Sequence, residues 1–280
     1  MKFVRFLVLT VVGMTVLGVN MTFATQMPAL VNAAVRGGML AVFGVLWIAA
    51  RREGPLHAWR GVFLAFFATV FGVSLGFYLS DEVLARLGLT TNTPTGMAAA
   101  RLINAVIVVA GIMAVVKLAG DGLGSLYVRR GRLLLGLLLG LAGAAVFVVL
   151  TFVPGGPFFA AASTAGGVAK LVPLVPWLLV FVLSNAFAEE LLYRGLYLQR
   201  YEPLTGPWLA LLSTALVFAL SHMQVTYTPQ VWGFVAFVFV LGLLWGVLMQ
   251  KSQSIWGSVL FHAGADVAII LPIMQKLAAG

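Results

Sequence analysis

Glu189 and Glu190 stand side by side at the end of an apolar run from Val172 to Leu192, and Arg194 follows four residues after Glu190. The chain has only 8 Asp and Glu residues, so an adjacent pair in hydrophobic sequence demands a reason. An ionisable side chain in a bilayer is costly and points by default to function. On a helix, Glu190 and Arg194 lie roughly 40° apart and can pair, whereas Glu189 is rotated about 100° from Glu190. The expectation is therefore one carboxylate paired for structure and one left available for chemistry.

Other chemistry-bearing residues sit at comparable depth. His222 closes the apolar run 207–223, and His262 and Asp266, an i,i+4 pair on one helix face, lie in the run 255–275. Suppose the helix carrying Glu189 stops near Pro203 and the next starts near Pro207. Glu189 then lies roughly 18 Å and His222 roughly 22 Å above the inner end, with His262 and Asp266 at roughly 10 and 16 Å. One polar pocket inside the membrane is geometrically possible. Glutamate and histidine together can activate a water, since an apolar cavity makes a carboxylate a stronger base and an imidazole can donate to an oxyanion. The same set could instead supply N and O ligands to zinc. The third histidine, His57, sits in a basic loop and reads as a surface residue.

At these positions the sequence resembles the CPBP intramembrane proteases. That family groups the type II CAAX prenyl endopeptidases with the bacteriocin-processing and immunity (ABI) proteins. Glu189-Glu190-x-x-x-Arg194, Phe218-x-x-x-His222 and His262-x-x-x-Asp266 are similar to its three motifs, in the same order and in the last four helices. The resemblance covers about Val172 to Leu271. It implies that Glu189 with His222 activates water, that His262 and Asp266 hold the oxyanion or orient the water, and that Glu190, Arg194 and Phe218 support the site. It implies no metal and no cofactor. Asp266 departs from the asparagine usual in the prenyl endopeptidases, which bears on the substrate more than on the fold.

The elements that must position these residues follow from composition. Of 280 residues, 62% are hydrophobic and 9% charged, far from the one quarter charged that is usual in soluble domains. Apolar runs at 4–22, 30–50, 61–80, 101–118, 133–153, 173–196, 207–223, 231–250 and 255–275 predict an all-α, polytopic helical membrane protein. Eight or nine transmembrane helices are expected, with a four-helix catalytic core. The expected division is residues 1–171, amino-terminal helices, and 172–280, the CPBP-like core. Basic residues cluster in alternate loops, with Arg86, Arg101, Lys170 and Lys276 on the poorer side. The positive-inside rule then puts the amino terminus in the cytoplasm, and composition together with the family resemblance implies a bacterial cytoplasmic membrane. The net charge of +9 thus reads as topogenic signal rather than as nucleic-acid binding.

Local signals complete the expectation. The first run is either a retained helix or a signal peptide with small residues near Ala24, and retention is the preferred reading. Ser80-Asp81-Glu82 reads as the N-cap of a short interfacial helix, followed by a polar loop from Thr90 to Gly96. Pro154 to Gly167 reads as an outer loop, either a cover for the site or a plain connector. Gly136, Gly140 and Gly143, and Gly242 and Gly246, have the spacing of close helix packing. The seven tryptophans fall mostly near run ends, as an interfacial belt does.

Several chemistries are excluded or weakened. Without cysteine there is no disulfide, thiolate nucleophile or Cys-based metal site. The zinc alternative lacks an H-E-x-x-H. Gly257-Ser258 is not a serine-protease Gly-x-Ser-Gly element, and Asp121, in Gly120-Asp121-Gly122, reads as a turn residue rather than half of an aspartyl pair. A transporter or a non-catalytic immunity or binding factor remains as a rival class. The partners expected are the bilayer and a membrane-anchored or amphipathic peptide.

Overall fold

The computed structural model describes residues 1–23, 26–153, 162, 168–226 and 228–279. Among these the regular structure is helical: α1 (Lys2–Leu17), α2 (Ala29–Ala49), α3 (Arg60–Arg86), α4 (Pro94–Leu118), α5 (Leu133–Leu150), α6 (Val175–Glu190), α7 (Gln199–Thr205), α8 (Pro207–Leu220), α9 (Val231–Ser252) and α10 (Ile255–Ala278). Among the described residues eight stretches are long and apolar enough to cross a membrane, and α8, at 14 residues, is not one of them. At 1.5 Å per residue α8 reaches about 21 Å, short of a hydrocarbon core of about 30 Å. The expected run 207–223 thus ends as a helix below the far surface, and His222 lies in the turn that follows it. The expected cover from Pro154 to Gly167, and Ala24, lie outside the described residues but for Ala162.

The site-bearing helix is α6. It packs between α4 and α10, and the chain after it packs against α8. Continuation from Glu190 is not simple α-helix. Leu191–Leu198 is a π-helical stretch, wider than an α-turn, before α7 resumes. Gly195 lies in it beside the Leu126 carbonyl, so close that a Cβ would collide. Wide π turns alter the angular phase between residues on either side. Pro203 falls inside α7 rather than ending it, and Thr205 is the last helical residue.

Glycines knit the carboxyl-terminal helices together. Gly136 and Gly140 of α5 meet Gly257 of α10 backbone to backbone, and Gly143 meets the Phe261 ring. The small-residue spacing read from the sequence is therefore a true helix seam. Two local expectations change. α3 runs unbroken through Ser80-Asp81-Glu82 to Arg86, and Arg86 pairs with Glu82 at 2.8 Å on its exposed face. At 27 residues it is about 40 Å long, so its acidic turn emerges from the bilayer without any break. The polar loop ends sooner than expected: Thr93 caps α4 by accepting from the Gly96 amide, with Pro94 at the first helical position.

Candidate active site

Glu190 is fully buried and receives two donors on one oxygen. Arg194 Nη1 donates to its Oε1 at 3.0 Å, across the i,i+4 spacing, and His262 Nδ1 lies 2.9 Å from the same atom. Arg194 Nη2 reaches the Gly242 carbonyl at 3.2 Å, and its guanidinium stacks 4.3 Å from the Phe218 ring centroid. Gly242 admits that contact, because a Cβ there would stand 2.9 Å from Nη2. The glycine expected to serve helix packing thus also makes room for a buried cation.

Glu189 faces the other way. Its Oε2 lies 3.5 Å from His262 Nε2, and its Oε1 accepts from Arg101 Nη2 at 3.1 Å. Arg101 was expected among the flanking charges of the poorer loops. It lies two turns inside α4, and it means that Glu189 is not the unpaired carboxylate the sequence suggested.

His262 is the hub. A carboxylate only accepts, so the bond to Glu190 fixes a proton on Nδ1. Nε2 then faces Glu189 Oε2 at 3.5 Å and Asp266 Oδ1 at 3.6 Å. Trp245 stacks flat on the ring, with centroids 3.9 Å apart and planes 8° from parallel. Trp245 is 2% exposed and so is no part of an interfacial belt. Asp266 is held in turn by Asn185, whose amide donates to Oδ2 at 2.8 Å.

His222 hangs from the end of α8. Its Nδ1 is 2.8 Å from the Phe218 carbonyl, which requires the proton on Nδ1 and leaves a lone pair on Nε2 of the neutral ring. The Phe218 ring touches His222 at 4.7 Å and His262 at 5.8 Å, centroid to centroid. Tyr193 supports the turn by donating to Ser221 at 3.1 Å, and Ser221 donates to the Phe218 carbonyl at 2.7 Å.

Glu189, His222, His262 and Asp266 all line one cavity of about 260 Å³, together with Asn185 and Phe218. The depth overlap expected from helix counting therefore corresponds to a shared space. Glu190 and Arg194 are outside its lining, packed behind it. Among the described residues no group of three His, Asp or Glu residues is arranged to hold a metal ion. Asp121, read as a turn residue, is not in the lining of this cavity and pairs with Arg200 at 3.2 Å.

Residues 171–268 match the family model described as Type II CAAX prenyl endopeptidase Rce1-like. This part of the chain, about a third of its length, is similar to that family. Its members are intramembrane peptidases, which agrees with an all-helical, membrane-spanning chain carrying its polar cavity among apolar helices. The matched segment contains all seven residues singled out from the sequence, while Arg101 lies outside it. No curated protein and no solved structure matches the chain.

Sequence reasoning missed Asn185 and Arg101. Asn185 had a readable signal, a carboxamide four residues before Glu189 on an apolar helix. For Arg101 the signal was the Thr93-Pro94 cap, which starts α4 early enough to carry the arginine inside the helix.

Proposed function

We propose that the chain is an intramembrane endopeptidase that hydrolyses a peptide bond with a water activated by Glu189 and His222. The observation that carries this reading is the convergence of Glu189, His222, His262 and Asp266 on one cavity of about 260 Å³. Glu189 takes a proton from the water, assisted by the bare Nε2 of His222. The hydroxide adds to the scissile carbonyl carbon, and the carbonyl oxygen becomes the oxyanion. Collapse breaks the C–N bond, and the proton held at Glu189 or His222 goes to the leaving amine.

His262 stabilises the oxyanion. With Nδ1–H committed to Glu190, Nε2 can donate only in the imidazolium form. Glu189, Glu190 and Asp266 around the ring counter that charge, and the Trp245 face adds cation–π attraction. Asp266, held by Asn185, orients His262. Glu190, Arg194 and Phe218 fix the wall behind it. We assign the chemistry to residues 172–280, with 1–171 contributing Arg101. The substrate is a membrane-anchored or amphipathic peptide, the membrane is the bacterial cytoplasmic one, and the mechanism uses no cofactor.

The test is cleavage of membrane-tethered peptides by the reconstituted protein with and without a chelator. The glutamate mechanism predicts chelator-resistant cleavage lost in His222→Ala. Cleavage that a chelator abolishes and zinc restores contradicts it.

A further inference from the structure

Behind Glu189, away from the first cavity, lies a second one of about 200 Å³. Glu189 lines both. The polar wall of the second cavity is Asn20, Arg101, Asn104 and Glu189, and Phe77 and other apolar residues close the remainder. Arg36 stands against this wall. Its Nη1 and Nη2 donate to Asn20 Oδ1 and O at 3.1 and 2.7 Å, and its guanidinium lies 4.4 Å from the Phe77 centroid. Further bonds run to Asn32 Oδ1 at 2.6 Å and Ser74 Oγ at 3.1 Å.

All four of these acceptors are neutral, and among the described residues no carboxylate pairs with Arg36, which is 3% exposed. Neutral dipoles hold a buried guanidinium in place but do not cancel its charge, and an uncompensated buried ion is strongly unfavourable. Arg101 and Glu189 are the charged side chains in the lining of the second cavity, and Arg36, outside that lining, adds a positive charge behind Asn20. Arg101 Nε is buried there with no hydrogen-bond partner among the described residues. Asn20 Nδ2 donates to the Val16 carbonyl at 2.7 Å and Asn104 Nδ2 to Ser80 Oγ at 3.1 Å, so the donors open to an oxyanion are Arg101 Nε and the second amide hydrogen of Asn104, with Arg36 adding positive charge behind them.

We propose that this second cavity binds a small oxyanion, a carboxylate or a phosphate group, which draws Arg101 away from Glu189. The consequence rests on reading Glu189 as the base. While Arg101 holds Oε1, the carboxylate is neutralised and half occupied. An anion seated between Arg101 and Arg36 releases it toward the first cavity and the water there. The empty protein is latched, and the anion unlatches it. The anion has two possible sources: the terminal carboxylate of a peptide substrate, or the phosphate of a lipid headgroup.

The experiment needs no turnover, so its failure is distinct from failure of the protease reading. The purified chain in maltoside micelles, which carry no phosphate, is titrated with sodium acetate, and separately with inorganic phosphate, while thermal unfolding is followed. Sodium chloride of equal ionic strength is the control. Acetate or phosphate raises the midpoint saturably and chloride does not, because a ligand of the folded state stabilises it. Arg101→Gln and Arg36→Gln each abolish the shift. Glu189→Gln removes the competing carboxylate, so acetate binds roughly tenfold or more tightly, the size of one freed charge-assisted hydrogen bond. If Arg36→Gln does not fold, the Glu189→Gln titration decides alone. No anion effect in either wild type or Glu189→Gln overturns the proposal. Two arms separate the sources. A tethered peptide with a free terminal carboxylate displaces acetate while its amide does not if the substrate supplies the anion. Phosphatidic acid added to the micelles raises the midpoint before any acetate if the lipid does.

Discussion

Two sides of α6 differ sharply although consecutive residues define them. On one side Glu190 is sealed, with Arg194, His262 and the Gly242 backbone filling the space around it. On the other, Glu189 looks into two cavities, and its side chain keeps 17% of its exposure. The rotation of about 100° between neighbours lets one helix put a carboxylate in a packed wall and the next in a hollow. Packing, not residue type, separates the sealed carboxylate from the one that faces open space.

The strongest way to break this contrast is to empty the sealed side. Glu190→Ala strands Arg194 and His262, and Arg194→Ala strands Glu190. Each is expected to destabilise by about 3–5 kcal/mol, since removing one partner leaves a buried charge without its complement. Chemical unfolding in detergent measures it. Glu189→Gln, on the hollow side, keeps a carbonyl oxygen for Arg101 Nη2 beside open space and should destabilise less than either of these substitutions.

A smaller effect comes from the seam that holds α10 in register. Gly140→Ala drives a methyl group into the Gly257 backbone and is expected to destabilise by about 1–3 kcal/mol, as overpacking does. Cleavage should fall with it, because α10 carries His262 and Asp266. Smaller again is Tyr193→Phe, which removes the donor to Ser221. A loss of about 0.5–1.5 kcal/mol is expected by thermal unfolding, with a modest fall in rate through the His222 turn.

Asp266→Asn sharpens the contrast from the chemical side. It keeps the size of the side chain that Asn185 holds but removes one of three negative charges around His262. A drop in rate with little change in midpoint is expected if the charge supports the imidazolium. Unchanged turnover assigns Asp266 a geometric role only.

What could be read from the sequence was what repeats or stands out locally. The apolar runs gave the helices, and the three motifs gave Glu189, Glu190, Arg194, Phe218, His222, His262 and Asp266. The glycine spacings gave the α5–α10 seam. Pairings between distant helices were not legible. Arg101 meets Glu189 across 88 residues of sequence, and Trp245 reaches His262 only because α9 and α10 turn back on each other. Arg36 stood inside an apolar run with Asn32 four residues before it, a local signal that went unread. The π-helical stretch after Glu190 had no sequence signature, because hydrophobic periodicity does not distinguish one wide turn from the α-turns beside it.

The most direct measurement compares Glu189→Gln with Glu190→Gln in the same bilayer, recording the unfolding midpoint and the cleavage rate per folded molecule. The division of roles predicts a smaller fall in midpoint for Glu189→Gln than for Glu190→Gln, with cleavage lower by about 10²–10⁴-fold, the range for a lost general base. For Glu190→Gln it predicts a depressed midpoint, with substantial activity in the fraction that folds. Folded Glu189→Gln protein that cleaves at the wild-type rate would contradict the assignment of Glu189 as the base.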